Sequence, residues 1–168
     1  MTIAVQSLLV DTNVWLDVYL PDRPHEAVSR ALLETAIRSG VSLLYTNGQA
    51  KDLFFLVTQY GKQCARLEGR EVDANVSACA NEFAWGVIKS LSEVATSVGS
   101  DESDAWLARK YRAIHQDFGD NLVVAAAARA HADYLVTNDE ALLKHTPVAT
   151  ISPADLLSLL QGEGEEEG

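Results

Sequence analysis

The sequence has few of the residues that mark secreted or membrane-bound proteins. Its two cysteines, Cys64 and Cys79, have neither the spacing of metal ligands nor a secretory context, so we expect no disulfide. No apolar run approaches the ~20 residues that a membrane-spanning helix needs. The N-terminus also lacks the basic flank and long apolar stretch of a signal peptide. We therefore expect a soluble, cytoplasmic protein with no membrane partner.

Positive charge is also scarce. The chain has 13 lysines and arginines against 24 aspartates and glutamates, a formal net charge of −11. Four of these acids lie in residues 161–168, for which we expect an acidic, disordered tail. The recurrence of Lys62, Arg66 and Arg70 every four residues more often marks a solvated helix face than a binding stripe. The imbalance argues against non-specific nucleic-acid binding through a basic surface, but not against a site that gathers acids around a metal ion.

The order of apolar segments predicts one α/β domain over residues 1–160. A chain of 168 residues suits a single core. Short apolar runs predict buried strands at 8–10, 41–45, 94–98, 134–136 and 148–151. Helical patterns lie between and after them, at 25–38, 50–60, 61–93, 103–115, 122–131 and 153–160. This alternation predicts a three-layer α/β/α sandwich with a central, mainly parallel sheet of about five strands.

Two of the predicted strands end at an acid. The first strand is followed directly by Asp11, and Thr12 or Asn13 can cap the helix that follows. The fourth strand is followed by a turn that carries Thr137 and Asp139. In an open α/β sheet, ligands bind outside the carboxyl ends of the strands. The two acids are therefore candidates for a shared site.

Two further acids open predicted helices. Asp52 is expected in the first turn of the helix at 50–60, where an acid would also simply complement the helix dipole. Asp120 precedes the alanine-rich helix at 122–131. Helix starts after parallel strands face the same edge of the sheet, so we expect Asp52 and Asp120 to approach Asp11 and Asp139. Such a convergence of like charges is costly without a metal ion, and Mg²⁺ and Mn²⁺ prefer oxygen ligands.

Other kinds of site have less support. The sequence has four histidines: His25, His115, His131 and His145. They lack the spacing of metal ligands, and we interpret them as structural or surface residues. A haloacid-dehalogenase-like phosphatase also begins with an aspartate after a strand, but it needs a second aspartate where this chain has Asn13. Among the large apolar residues, Trp15, Phe54 and Phe55 are expected in the core rather than at an interface.

Taken together, these motifs resemble the PIN domain, over roughly residues 6–160. The family's opening strand with Asp-Thr-Asn stands here at residues 9–13. Its acid in the helix after the second strand falls on Asp52, and its third acid, before an alanine-rich helix, falls on Asp120. Its closing strand with Thr-x-Asp stands at residues 135–139. Asp52 departs from the pattern, since the family more often has glutamate there.

The resemblance implies a metal-dependent endoribonuclease, such as the toxin of a type II toxin–antitoxin pair. It implies Mg²⁺ or Mn²⁺ as cofactor, RNA as substrate, an antitoxin as partner and a possible homodimer. The implied catalytic and metal-binding quartet is Asp11, Asp52, Asp120 and Asp139. Secondary candidates are Asp117, as an alternative to Asp120, and Thr12, Asn13 and Thr137, which would orient ligands or merely cap helices. The alternative function is a catalytically weak or inactive PIN-fold protein that binds RNA or protein.

Overall fold

Five short strands form one sheet in the computed structural model, which describes residues 5–165. They are β1 (Ser7–Val10), β2 (Ser42–Thr46), β3 (Thr96–Val98), β4 (Tyr134–Val136) and β5 (Thr150–Ile151). The order in the sheet is β3-β2-β1-β4-β5, and all neighbouring strands are parallel. The chain adds strands to one side of β1 and then crosses to the other side. The winding direction therefore reverses between β1 and β4, where open sheets of this kind have their binding crevice.

Helices cover both faces of the sheet and complete the predicted three-layer α/β/α sandwich. They are α1 (Thr12–Tyr19), α2 (Glu26–Arg38), α3 (Asn47–Leu67), α4 (Ala74–Val94), α5 (Glu102–Tyr111), α6 (Phe118–Arg129), α7 (Glu140–Lys144) and α8 (Pro153–Glu165). Alternate residues of β1 supply the two cores: Leu8 and Val10 pack with one set of helices, and Leu9 packs against α6 and α7 on the other face. Within the described residues, no helix combines the length and apolar character that a membrane crossing requires.

The bounds of α3 differ from the prediction, and the difference changes the position of Asp52. A capping box between Thr46 and Gln49 starts the helix at Asn47, three residues before the predicted start. Asp52 therefore lies in the second turn, and its predicted place in the first turn is wrong. The helix also runs on past Tyr60, because it packs so closely on α4 that a Cβ on Gly61 would lie 3.0 Å from the Cβ of Ala80.

Several helix ends also differ because side chains of unexpected residues form the caps. Asp11, not Thr12 or Asn13, caps α1, and Asp101, not Ser103, caps α5. The short helix α7 was not predicted, and α5 ends at Tyr111 rather than His115. The last helix continues into the predicted acidic tail as far as Glu165; residues 166–168 of that tail lie outside the described residues. The division of the chain at residue 160 stays a prediction.

The predicted placement of large and charged side chains is correct only in part. Trp15 is buried and Phe54 packs against the core, but the prediction for Phe55 is wrong, since 58% of it is exposed. Phe55 lies on the part of α3 that borders an open cleft rather than the sheet. Both cysteines are free thiols, as expected. Arg70 lies beyond the end of α3 and pairs with Glu68, so Lys62, Arg66 and Arg70 do not share one helix face.

Candidate active site

Asp11 occupies the crevice between β1 and β4. Its backbone N–H donates to the carbonyl of Val136 across the two strands, at 2.9 Å. Gln49 fixes the neighbouring helix α3 to the same strand end, because its side-chain amide donates to the carbonyl of Val10 at 2.8 Å. Only 5% of Asp11 is exposed. Strand β1 therefore delivers a carboxylate to the point where the sheet's winding reverses.

Three donors hold the Asp11 carboxylate. Oδ1 accepts the backbone N–H of Thr12 at 2.7 Å, and Oδ2 accepts the side chains of Asn13 at 2.9 Å and Thr137 at 2.7 Å. Burial raises the pKa of Asp11, the three hydrogen bonds oppose that rise, and the charge of Asp139 adds to it. The donors fix the direction of the carboxylate.

The Thr137 hydroxyl joins the two acidic strand ends. It donates to Asp11 and accepts the side-chain amide of Asn13 at 3.1 Å and the backbone N–H of Asp139 at 3.0 Å. One donor and two acceptor positions are all that a hydroxyl has, so this buried group is fully satisfied. The carbonyl oxygen of the Asn13 side chain in turn accepts the backbone N–H of Asn138 at 3.2 Å. Asn13 and Thr137 thus set the position of the loop that carries Asp139.

Asp139 caps α7 with only one of its two carboxylate oxygens. Oδ1 accepts the backbone N–H groups of Ala141 at 2.7 Å and Leu142 at 3.2 Å. Within the described residues, Oδ2 accepts no hydrogen bond. The helix cap therefore fixes the carboxylate and leaves one oxygen available to a ligand.

Asp120 and Asp117 have different positions at the start of α6. Asp117 is the cap, and its Oδ1 accepts the backbone N–H of Asp120 at 2.9 Å. Asp120 lies one turn further and is half-buried. Burial, followed by the charges of Asp11, Asp117 and Asp139, raises the pKa of Asp120 to about 6, although His115 opposes the rise. Three other carboxylates therefore act electrostatically on Asp120.

His115 is a residue of this site that the sequence analysis did not select. One ligand atom from each of His115, Asp120 and Asp139 lies within 4.8 Å of the others. The Nδ1 of His115 accepts the backbone N–H of Asp117 at 3.3 Å, which places the proton of the neutral ring on Nε2. That Nε2 lies 3.7 Å from Oδ2 of Asp120. The ring therefore faces the Asp120 carboxylate, just beyond hydrogen-bond distance.

These acids border one open cleft of about 590 Å³. None of its lining residues is a lysine or an arginine. Seven are aspartates: Asp11, Asp52, Asp101, Asp104, Asp117, Asp120 and Asp139. Asp52 is exposed, and both Asp52 and Asp11 lie outside the cluster of Asp120, Asp139 and His115. Thr12 and Asn13 also line the cleft. The four predicted acids thus share a cleft, while the ligand atoms that lie closest together come from α6, the β4–α7 loop and His115.

The raised pKa of Asp120 predicts an unusual effect on stability. In metal-free protein near pH 7, Asp120→Asn should raise the free energy of unfolding by about 1 kcal/mol, after allowance for solvent screening. The folded-state pKa of about 6 lies above the unfolded value of about 4, so ionisation of Asp120 disfavours the folded state. This cost is complete above about pH 6 and absent below about pH 4, where the two proteins should converge.

Urea denaturation in the presence of a chelator at several pH values measures this difference. Asp73→Asn provides a matched control, because Asp73 caps α4 away from the cleft and asparagine is an equally good cap. An Asp120→Asn protein that is no more stable than the wild type near pH 7 would contradict the expected cost of an ionised Asp120, which comes from burial first and from the neighbouring carboxylates second.

The sequence matches the profile of the PIN domain over residues 7–141. A comparison with curated proteins finds no match. Two of the solved structures that are similar to this chain illustrate the likeness. The crystal structure of VapBC2 from Rickettsia felis, bound to a DNA fragment from their promoter, has a TM-score of 0.62 at 12% identity and covers 88% of this chain and 98% of that chain. PAE2754 from Pyrobaculum aerophilum has a TM-score of 0.50 at 18% identity, with 95% and 99% covered. At these identities the likeness concerns the fold.

Proposed function

Because the chain belongs to the PIN domain family, we propose that it is a metal-dependent endoribonuclease that hydrolyses phosphodiester bonds of RNA. The observation that carries this proposal is the meeting of Asp11, Asp120 and Asp139 in one cleft at the reversal point of the sheet. These acids come from three distant parts of the chain, so only the fold brings them together.

The donor set fits a hard divalent cation such as Mg²⁺ or Mn²⁺. Carboxylate oxygens are the ligands these ions prefer, and Asp139 has one oxygen that accepts no protein hydrogen bond among the described residues. Burial, with the charge of neighbouring carboxylates added to it, raises the pKa values of Asp11 and Asp120, and a cation would offset the cost of their ionised forms. Asp11, Asp120 and Asp139 would hold the ion, with Asp52 on α3 as the fourth candidate.

A bound cation would supply positive charge at the scissile phosphate and would favour ionisation of the attacking water. The chain's own residues orient the groups around it. Thr137 and Asn13 fix the Asp11 carboxylate through Oδ2, and the α7 cap fixes Asp139 through Oδ1. The Nε2 of His115 lies 3.7 Å from Oδ2 of Asp120, and we assign His115 the positioning of that carboxylate.

Cleavage of a mixed RNA substrate, with and without Mn²⁺, tests the proposal. We expect cleavage only with the metal, and its complete loss on chelation. Thermal unfolding of the same samples separates the proposal from the second candidate, a PIN-fold protein that binds RNA or protein without catalysis. The exposure of Asp52, outside the closest cluster, is the observation that favours this candidate. If millimolar Mn²⁺ gives neither cleavage nor a higher Tm, the nuclease proposal is wrong and the binding role remains.

We also propose an antitoxin protein as partner and the cytoplasm as the place of action. The similar VapBC2 structure is a complex on promoter DNA, and a cleft lined by seven aspartates would accept a basic side chain of an inhibitor. Exposed Phe55 at its border would add apolar contact area. A homodimer is part of the same proposal, and light scattering of the purified chain measures it.

A further inference from the structure

A second groove adjoins the acidic cleft and has a different chemistry. It has a volume of about 400 Å³ and shares Leu16 and Leu56 with the border of the cleft. We call it the arginine groove, after its polar lining of Arg23, Gln59, Tyr60, Gln63 and Arg66. None of its lining residues is acidic. The two cavities therefore adjoin at Leu16 and Leu56, with an acidic part on one side and a basic part on the other.

One face of α3 borders both parts. Asp52 and Leu56 border the cleft, while Leu56, Gln63 and Arg66 border the arginine groove. Successive members of this series are four, seven and three positions apart, so they lie on one side of the helix. Arg66 follows Asp52 by 14 positions, which is about 21 Å along a helix axis. A flexible chain lying along this face would leave the acidic part and enter the basic part.

The two arginines of the groove are available to a ligand in different ways. Nε of Arg23 donates to the buried carboxylate of Asp17 at 2.7 Å, which fixes the guanidinium at the groove. Its terminal Nη groups make no hydrogen bond within the described residues. Arg66 is exposed and has no ion-pair partner among those residues. A planar guanidinium held in place by a buried acid loses little side-chain entropy when it binds a phosphate.

Charge complementarity identifies the occupant. Asp104 pairs with Arg129 at 2.8 Å, but the other six aspartates of the cleft repel a polyanion wherever their charge is not offset. Additional attraction therefore has to come from beside the cleft. Guanidinium groups bind phosphate oxygens, an aromatic ring such as Tyr60 can stack on a base, and the amides of Gln59 and Gln63 can bond to base edges. The unpaired bases that these contacts need are a property of single-stranded RNA.

We propose that the arginine groove binds single-stranded RNA on one side of the bond that the acidic cleft cleaves, with Arg23 and Arg66 contacting its phosphates. This inference rests on the proposed nuclease function for its position in the reaction. It makes Arg66 a substrate-binding residue that does not touch the reacting atoms. Loss of the Arg66 side chain should therefore raise KM and leave kcat unchanged.

The test measures RNA binding apart from cleavage. Fluorescence anisotropy with a labelled single-stranded RNA of mixed sequence is performed in Mg²⁺, in an Asp11→Asn background that slows cleavage. We expect Arg66→Gln to weaken binding about tenfold and to reduce the slope of log K against log salt by about 0.7. Arg66→Lys should restore most of both, because it restores the charge. Arg38→Gln is the matched control, since Arg38 ends α2 at the opposite edge of the sheet.

The outcomes decide the inference separately from the nuclease proposal. If Arg66→Gln and Arg38→Gln bind RNA with equal affinity, the assignment of the arginine groove to RNA is wrong. Groove variants that retain RNA affinity but lose a co-purifying protein would also overturn it, because the groove would then belong to a protein partner. If the unmutated protein cleaves no RNA but binds it in an Arg66-dependent way, the nuclease proposal fails and the groove assignment stands.

Discussion

Asp11→Asn is expected to reduce the rate of RNA cleavage by at least about 100-fold, while the protein stays folded. Replacement of a residue that merely orients a metal ligand already costs about 10- to 100-fold, and Asp11 is proposed as a ligand itself. The fold should survive because Asn can still accept the Thr12 N–H, and because an uncharged side chain avoids the burial cost that raises the pKa of Asp11.

Single-turnover cleavage in Mn²⁺ measures the effect, and far-ultraviolet circular dichroism verifies the fold. Asp73→Asn makes the same chemical change at a helix cap outside the cleft and should cleave like the wild type. An Asp11→Asn protein with undiminished, metal-dependent cleavage would remove Asp11 from the catalytic set.

Asp17→Ala is expected to lower the free energy of unfolding by about 3 kcal/mol. Asp17 is buried and accepts hydrogen bonds from Arg23 at 2.7 Å, from the side chain of Asn138 at 2.9 Å and from Ser29 at 3.3 Å. Its loss leaves the buried Ser29 hydroxyl and the Asn138 amide without this acceptor. Because Asn138 precedes Asp139, the change should also weaken metal binding.

Urea denaturation measures the stability, and Arg23→Gln supplies the comparison. Arg23 is one-third exposed, so its loss leaves Asp17 with two donors and should destabilise the protein by less. A change below about 0.5 kcal/mol in Asp17→Ala, the size of an ordinary surface substitution, would show that this network contributes nothing to stability.

The sheet could be predicted because its strands are short apolar runs with clear ends. The predicted strand at 134–136 has the bounds of β4, since Leu135 and Val136 are fully buried and a polar turn follows. Helix ends were less predictable, because they depend on which side chain turns back onto the backbone. On residue type alone, Thr12 or Asn13 could have capped α1, but Asp11 does. Ser103 could likewise have capped α5, but Asp101 does.

The site was predictable where a strand end determines it and less so elsewhere. Asp11 and Asp139 follow adjacent strands, so strand order alone brings them to one edge. The distances within the site depend on where the helices begin. Because α3 begins three residues before its predicted start, Asp52 lies in the second turn rather than the first. His115 has no motif of its own, and only its place two residues before Asp117 hinted at the site. The arginine groove was beyond prediction, because its residues come from α3 and from the turn after α1.

The most direct test of a shared cation is the binding of Mn²⁺ itself, measured by electron paramagnetic resonance of the free ion during titration. We expect saturable binding to the wild type and to Asp73→Asn, and an affinity at least about 100-fold lower for Asp11→Asn. Equal Mn²⁺ affinity in all three proteins would contradict the claim that Asp11 joins the acids of α6 and the β4–α7 loop around one ion.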